Sequence, residues 1–269
     1  MKARVKSYAR NLFYVLHLAA KSFWSSRARL ALSRFRSFVE AERLPELPAV
    51  GWDDLLPRDI PRLELGRLRQ RPGNAELYEI SFLSAMLREY SLCPVLEIGT
   101  FDGRTTYNLA LNLPEDSFVA TVNLPEEDLA DEWIHSEQRV YSGEAFRGTE
   151  VESRIREVIG DSSRMQPGDL PGPFRLIFVD GDHREDGVFA DSCLARQVAA
   201  AEGRSLIAWH DCDFFDVRRG IERYREALEP VGPLFQVEAT RLVLQFLLDG
   251  CVVSFDRWRA GNRGEPYCG

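Results

Sequence analysis

The chain has few of the residues that build small, cross-linked or membrane-spanning folds. Its five cysteines, Cys93, Cys193, Cys212, Cys251 and Cys268, form no C-x-x-C pair and have no histidine at metal-ligand spacing. An odd, scattered set fits reduced thiols in an intracellular, cytoplasmic protein better than a disulfide framework. No apolar run is long enough to span a bilayer, the longest near the start being Leu12 to Ala20 with His17 inside it. A small-residue cleavage site of the signal-peptide kind is missing there too. There is no internal repeat and no low-complexity segment. Acid and base are unevenly shared: residues 1–36 hold nine Lys and Arg and no acid, leaving −17 for residues 37–269 within a net charge of −8. An acidic body is poorly suited to tracking a nucleic-acid backbone, so no nucleic-acid partner is expected.

What is present is a soluble globular composition, 45% hydrophobic and 28% charged over 269 residues, enough for one large α/β domain with appendages. Residues 1–42 read as a basic helical arm and 43–70 as a proline-rich linker, with Pro45, Pro48, Pro57 and Pro61. A domain follows over 71–269. The arm, with Phe13, Leu16, Phe23 and Trp24 among its cations, suits peripheral contact of residues 1–36 with an anionic membrane at the cytoplasmic face. It equally suits packing on its own domain or on a second copy in a homo-oligomer.

Within the domain, a helix is expected after Asn74 as N-cap, with Ile80, Leu83, Leu87 and Tyr90 at helical spacing. Short apolar runs at 94–98, 118–122, 174–179 and 205–209, and a weaker one at 155–159, alternate with stretches long enough for crossover helices. That pattern predicts a mostly parallel sheet. Leu234–Val237, Leu242–Leu248 and Val252–Phe255 are strand-like with short connections, which suits an antiparallel edge. Ligands of such sheets sit beyond the carboxyl ends of the strands.

The polar residues at those ends are the informative ones. The run at 94–98 carries Glu97 and opens into Gly99-Thr100-Phe101-Asp102-Gly103, a glycine-spaced turn before a helix expected from about Thr105. Gly99 and Gly103 let the main chain approach a ligand beside unpaired helix N–H groups. The spacing is not the dinucleotide fingerprint G-x-G-x-x-G. After the next strands come Asn123, then Gly160-Asp161-Ser162, then Asp180-Gly181-Asp182-His183, then His210-Asp211. Two acidic clusters, each with a histidine, at neighbouring strand ends are hard to explain by packing, because buried carboxylates are costly unless paired or metal-bound.

These residues resemble class I S-adenosylmethionine (SAM)-dependent methyltransferases. The resemblance runs from about residue 72 to 248 through L-E-I-G-T-F-D-G at 96–103, G-E-A-F-R-G-T at 143–149, R-I-R-E-V-I-G-D-S at 154–162, I-F-V-D-G-D-H at 177–183 and A-W-H-D at 208–211. It is similar to the branch of bacterial sugar and antibiotic O-methyltransferases. The resemblance implies an α/β, Rossmann-like, doubly wound seven-stranded sheet, mostly parallel with an antiparallel edge. It implies a cofactor site at Glu97, Gly99, Thr100, Phe101, Gly103, Asn123, Asp161, Ser162 and Asp180. Asn123 stands where the family usually has a carboxylate for the ribose hydroxyls, and offers a single uncharged acceptor.

The same resemblance implies a magnesium (Mg2+) or manganese (Mn2+) site at Asp180 and Asp211, with His210 in place of the family's other acid. A histidine there favours manganese or another transition metal over magnesium. His183, three residues after Asp180, matches the position of a general base, which the methyl acceptor's hydroxyl requires, and equally suits a histidine that only orients Asp180 or caps the next helix. The expected acceptor is a small molecule or glycan precursor. The residues leave two rivals open: a catalytically weak SAM-binding or scaffold protein, motivated by Asn123 and His210, and a nicotinamide-dependent oxidoreductase, disfavoured by the glycine spacing. Residues 124–153, with Trp133, His135, Tyr141 and Phe146, read as a lid over the acceptor or as core of an inserted helix.

Overall fold

The computed structural model describes residues 47–59, 62–125, 142–227 and 232–261. The basic arm at 1–36, Cys268, and Trp133, His135 and Tyr141 lie outside the described residues. In chain order the strands are β1 (Ala49–Val50), β2 (Val95–Ile98), β3 (Val119–Asn123), β4 (Ile155–Ile159), β5 (Leu176–Val179), β6 (Arg204–Trp209), β7 (Leu234–Val237), β8 (Val243–Leu248) and β9 (Cys251–Val252). The helices are α1 (Trp52–Leu55), α2 (Leu77–Tyr90), α3 (Arg104–Leu111), α4 (Glu185–Val198), α5 (Phe215–Ala227) and α6 (Phe255–Ala260).

The strands form one sheet in the order β1-β7-β8-β6-β5-β2-β3-β4, with β9 on β8. Pairings among β2 to β6 are all parallel, and β8 runs antiparallel to β6 and β7. The seven expected strands are all there, and two-residue β1 and β9 extend the sheet to nine. Successive residues of a strand point to opposite faces, and the core divides accordingly. Val95, Phe178, Leu206 and Phe246 pack beneath α2, α3 and α6, while Leu96, Ile98, Ile207 and Trp209 pack beneath α4 and α5. No helix among the described residues is long and apolar enough to cross a membrane.

Three local expectations change. The residue that caps α2 is Glu76, not Asn74: Glu79 accepts the Glu76 N–H at 2.8 Å in a capping box. Asn74 instead donates to Asp102 at 2.9 Å. The run Val252–Phe255 is not a continuous strand, because Ser254 takes the N-cap conformation and Phe255 begins α6. Residues 47–59, expected within a linker, are packed: β1 pairs with β7, and Val50, Leu55 and Leu56 are buried in the core.

Residues 62–68 cross α3 as an extended strap held by two asparagines one helical turn apart. Asn112 accepts from the Glu64 N–H at 3.0 Å and donates to the Glu64 carbonyl at 2.8 Å. Asn108 does the same for Gly66, at 2.9 and 3.1 Å. Arg104 fastens the far end by donating to the carbonyls of Arg67 and Ala75, each at 2.8 Å.

Gly99 has φ +104°, and a Cβ built on it would lie 2.1 Å from the Asp180 carbonyl oxygen and 2.9 Å from Gly181 Cα. The close neighbour at this glycine is therefore the backbone leaving β5, not only a ligand. Gly103, at φ +79°, similarly makes room for Phe146, whose ring atoms would be 2.6 Å from a Cβ there. Replacing Gly99 by Val is expected to destabilise the whole domain, combining positive-φ strain with a backbone clash that no rotamer relieves. Thermal unfolding checks this, and a Gly99→Val protein melting with the wild type would contradict it.

Candidate active site

The carboxyl ends of β2, β3, β5 and β6 and the N-terminus of α2 meet at one edge of the sheet. At its centre is His210, which immediately follows β6 and is buried. Its Nδ1 lies 3.0 Å from Asp180 Oδ1 and 3.4 Å from Asp211 Oδ1, and its Nε2 lies 2.8 Å from Glu79 Oε2. Burial alone would lower the pKa of this imidazole. The Asp180 charge and the hydrogen bonds to Asp180 and Glu79 outweigh it and raise the pKa well above the ordinary histidine value. Both nitrogens thus face carboxylates, and His210 is a buried imidazolium.

This geometry turns His210 away from the metal-ligand role the sequence suggests, since neither ring nitrogen is left for an ion. Among the described residues, the three side chains whose ligand atoms come together, all within 4.8 Å of one another, are Asp180, His183 and Asp211. His183 is 45% exposed at its side chain, and its Nε2 lies 2.8 Å from Asp211 Oδ2 and 3.8 Å from Asp180 Oδ1. Burial pulls its pKa down, but the Asp211 hydrogen bond and the Asp180 charge raise it on balance. The Asp211 carboxyl, whose burial would push its pKa up, is held well below the usual carboxylate range by His183, His210 and Arg241.

Two residues of this cluster carry no sequence motif. Glu79, buried on the first turn of α2, accepts from the Arg241 N–H at 2.7 Å as well as bonding His210, and Arg241 extends its guanidinium to Asp211. The one local signal for Glu79 is its place three residues after Glu76, the capping-box spacing. For Arg241, in the turn between β7 and β8, there is none.

The residues expected around the cofactor are spread along the same edge. Asn123, at the end of β3, donates its amide to Ser142 Oγ at 2.6 Å, leaving its oxygen as an acceptor. The Asp161 carboxylate accepts from Ser163 N at 3.0 Å, capping a short 3-10 turn over Ser162–Arg164. Asp191, on α4, is buried, and burial raises its carboxyl to about 6. Phe101 closes the glycine turn at φ +47°, and its carbonyl accepts from the Gly143 N–H at 3.2 Å. Phe146 is fully buried against that turn, so of the four aromatics at 124–153 it is a core residue.

Glu97 is fully buried within the sheet. Its Oε2 accepts from the hydroxyls of Thr106 and of Thr121, the latter at 2.7 Å, and Thr100 Oγ1 lies 2.7 Å from Thr121 Oγ1. Burial raises its pKa to about 8 despite the two hydroxyl donors, so the group is a neutral acid at neutral pH. A carboxyl raised in the fold contributes fully below its unfolded pKa and loses that contribution as pH climbs towards the folded value. The stability difference between wild type and Glu97→Gln should therefore shift steadily against wild type from the ordinary carboxyl range up to about pH 8. Urea unfolding across that range checks this; a constant difference would show that Glu97 does not titrate there.

Residues 96–212 match the family model described as a methyltransferase domain. Among solved structures, the chain is similar to the SAH-bound methyltransferase PaMTH1 of Podospora anserina, at 16% identity and TM-score 0.49, covering 66% of this chain and 82% of that one. It is also similar to the O-methyltransferase TomG of Streptomyces achromogenes in complex with SAM, at 18% identity and TM-score 0.49 over 68% and 92% of the two chains. An O-methyltransferase of Bacillus cereus in complex with SAH follows at 20% identity and TM-score 0.43, over 71% and 84%. No curated protein sequence matches the chain significantly. The match to the methyltransferase-domain model runs from β2 to just past β6, and the sheet around it is parallel but for the antiparallel β8.

Proposed function

We propose that the protein transfers the methyl group of SAM to a hydroxyl oxygen of a small molecule or glycan precursor, with His183 accepting the hydroxyl proton. The observation that carries this reading is the His183–Asp211 pair, 2.8 Å apart beside Asp180, with the imidazole open to the cleft. Its Nε2–H donates to Asp211, which fixes the tautomer and leaves Nδ1 as the basic atom. Phe214, with ring centroid 5.9 Å away, limits the tilt of the imidazole.

The side chains along the edge fit the cofactor's chemistry. Asn123 Oδ1 is an acceptor for a ribose hydroxyl, Asp161 for the adenine amine, and Asp180 a counter-charge for a cationic group. When bound, SAM supplies an electrophilic methyl on a sulfonium that departs as a neutral thioether. The acceptor oxygen gives its lone pair to the new C–O bond while its proton passes to His183 Nδ1. Neutral Glu97 adds no charge beneath that centre, and the negative charge that counts is confined to Asp180 and Asp211.

Replacing His183 by Ala is expected to lower turnover by roughly 10²–10⁴-fold, the range for loss of a general base, with SAM affinity unchanged. Replacing it by Gln preserves a donor to Asp211 but no basic nitrogen, and should be as slow as the Ala variant. Formation of S-adenosylhomocysteine on a panel of sugars and phenols is the assay. A Gln variant as active as wild type would make His183 a positioning residue only.

A divalent ion is a second feature of the same reading, favoured by the grouping of Asp180, His183 and Asp211. Two carboxylates and waters suit magnesium, and recruitment of the imidazole would favour manganese. Such an ion would supply positive charge at the acceptor oxygen and ease its deprotonation. Turnover should then fall in excess chelator and return with either metal, and Asp180→Asn should abolish manganese binding in calorimetry. Full turnover in chelator would assign the three side chains to proton transfer alone.

A further inference from the structure

Trp52 and Tyr78 form a stacked pair, ring centroids 4.5 Å apart and planes 25° from parallel, in which Trp52 leans on Phe82 of the core at 5.2 Å. Tyr78 is 48% exposed, while most other large apolar side chains of the domain are buried. The indole N–H of Trp52 is buried with no hydrogen-bond partner among the described residues, an unusual state for such a donor. Packing on the core accounts for the inner side of Trp52, and leaves unexplained the half-exposed ring of Tyr78 stacked on it and the unanswered indole donor.

Topology sets the pair on the rim of the candidate active site. β1 runs parallel to β7 and so to the parallel core, and Trp52 begins the helix directly after it, at the carboxyl end of the sheet. Tyr78 is the second residue of α2, and the next residue, Glu79, holds His210. Arg241, bonded to Asp211 and 30% exposed at its side chain, belongs to the same rim. So does Glu238, whose carboxylate oxygen would be 3.5 Å from a Cβ on Gly51.

We infer that the Trp52–Tyr78 pair is the acceptor subsite, receiving a ring with an apolar face whose hydroxyls reach Arg241 and Glu238. This rests on the methyl-transfer reading above and narrows its acceptor. An aromatic face gains from flat apolar contact at little entropic cost, while the neighbouring guanidinium and carboxylate select for hydroxyls. Such a ring comes either from a sugar or from an aryl group.

Saturation-transfer NMR on the full chain tests the subsite, with methyl β-D-glucopyranoside as the sugar probe and 4-nitrophenol as the aryl probe. Ring protons of one probe should receive saturation from wild type and from Tyr78→Phe, and not from Tyr78→Ala; the responding probe names the ring. No transfer from either probe to wild type overturns the inference. So does equal transfer with Tyr78→Ala, or loss in Tyr78→Phe, which would assign the contact to the phenol hydroxyl. Calorimetry of each variant with SAM separates the two levels. Absence of SAM binding in wild type defeats the methyl-transfer reading, whereas unchanged SAM affinity in Tyr78→Ala with loss of transfer is the result expected for an acceptor subsite.

Discussion

The edge of the sheet depends on a buried positive charge. His210 is clamped between Glu79 of α2 and Asp180, just past β5, and Arg241 closes the set by donating its backbone to Glu79 and its side chain to Asp211. Four segments distant in sequence converge through these contacts. Removing one carboxylate would leave an imidazolium buried and short of a partner, the costly half of a broken ion pair. The cluster is therefore as much a structural fastener as a reactive site, and the exposed imidazole of His183 works against a rigid background.

The division of labour among the acids follows from burial. Glu97, enclosed by hydroxyls, stays protonated, whereas Asp211 is held ionised by three cationic or donor neighbours. Neighbouring carboxyls in one site thus differ in charge because their surroundings differ. This places ionised oxygen at the mouth of the cleft and keeps it out of the sheet.

Much of the sheet was legible because each core strand is a short apolar run; β4 and β7 span the residues the pattern indicated. β1 was not, since two residues between prolines make no pattern and are a strand only because β7 offers an edge. The site was legible where function and turn chemistry coincide in sequence, at 99–103, 180–183 and 210–211. Glu79 and Arg241 were hidden because their role exists only after α2 and the β7–β8 turn pack together. The bonds of His210 were hidden for the same reason: its ring reaches a carboxylate that lies 131 residues away in sequence. Gly99 looked like room for a ligand because sequence shows that a side chain is absent and not which atoms fill the space.

The asparagine-held strap has a consequence for how this sequence can vary. Asn108 and Asn112 read the main chain of Glu64 and Gly66 by its amides and carbonyls, as a neighbouring strand would, and ignore their side chains. The strap's course is thus written in two places, in the asparagines in and just past α3 and in the strap's own Leu63 and Leu65, which pack on the core, and Gly66, where a Cβ would lie 2.7 Å from the Tyr107 ring. A substitution at Glu64 leaves the paired bonds in place, whereas a change at Asn108 or Asn112 removes both bonds which that asparagine makes to the strap.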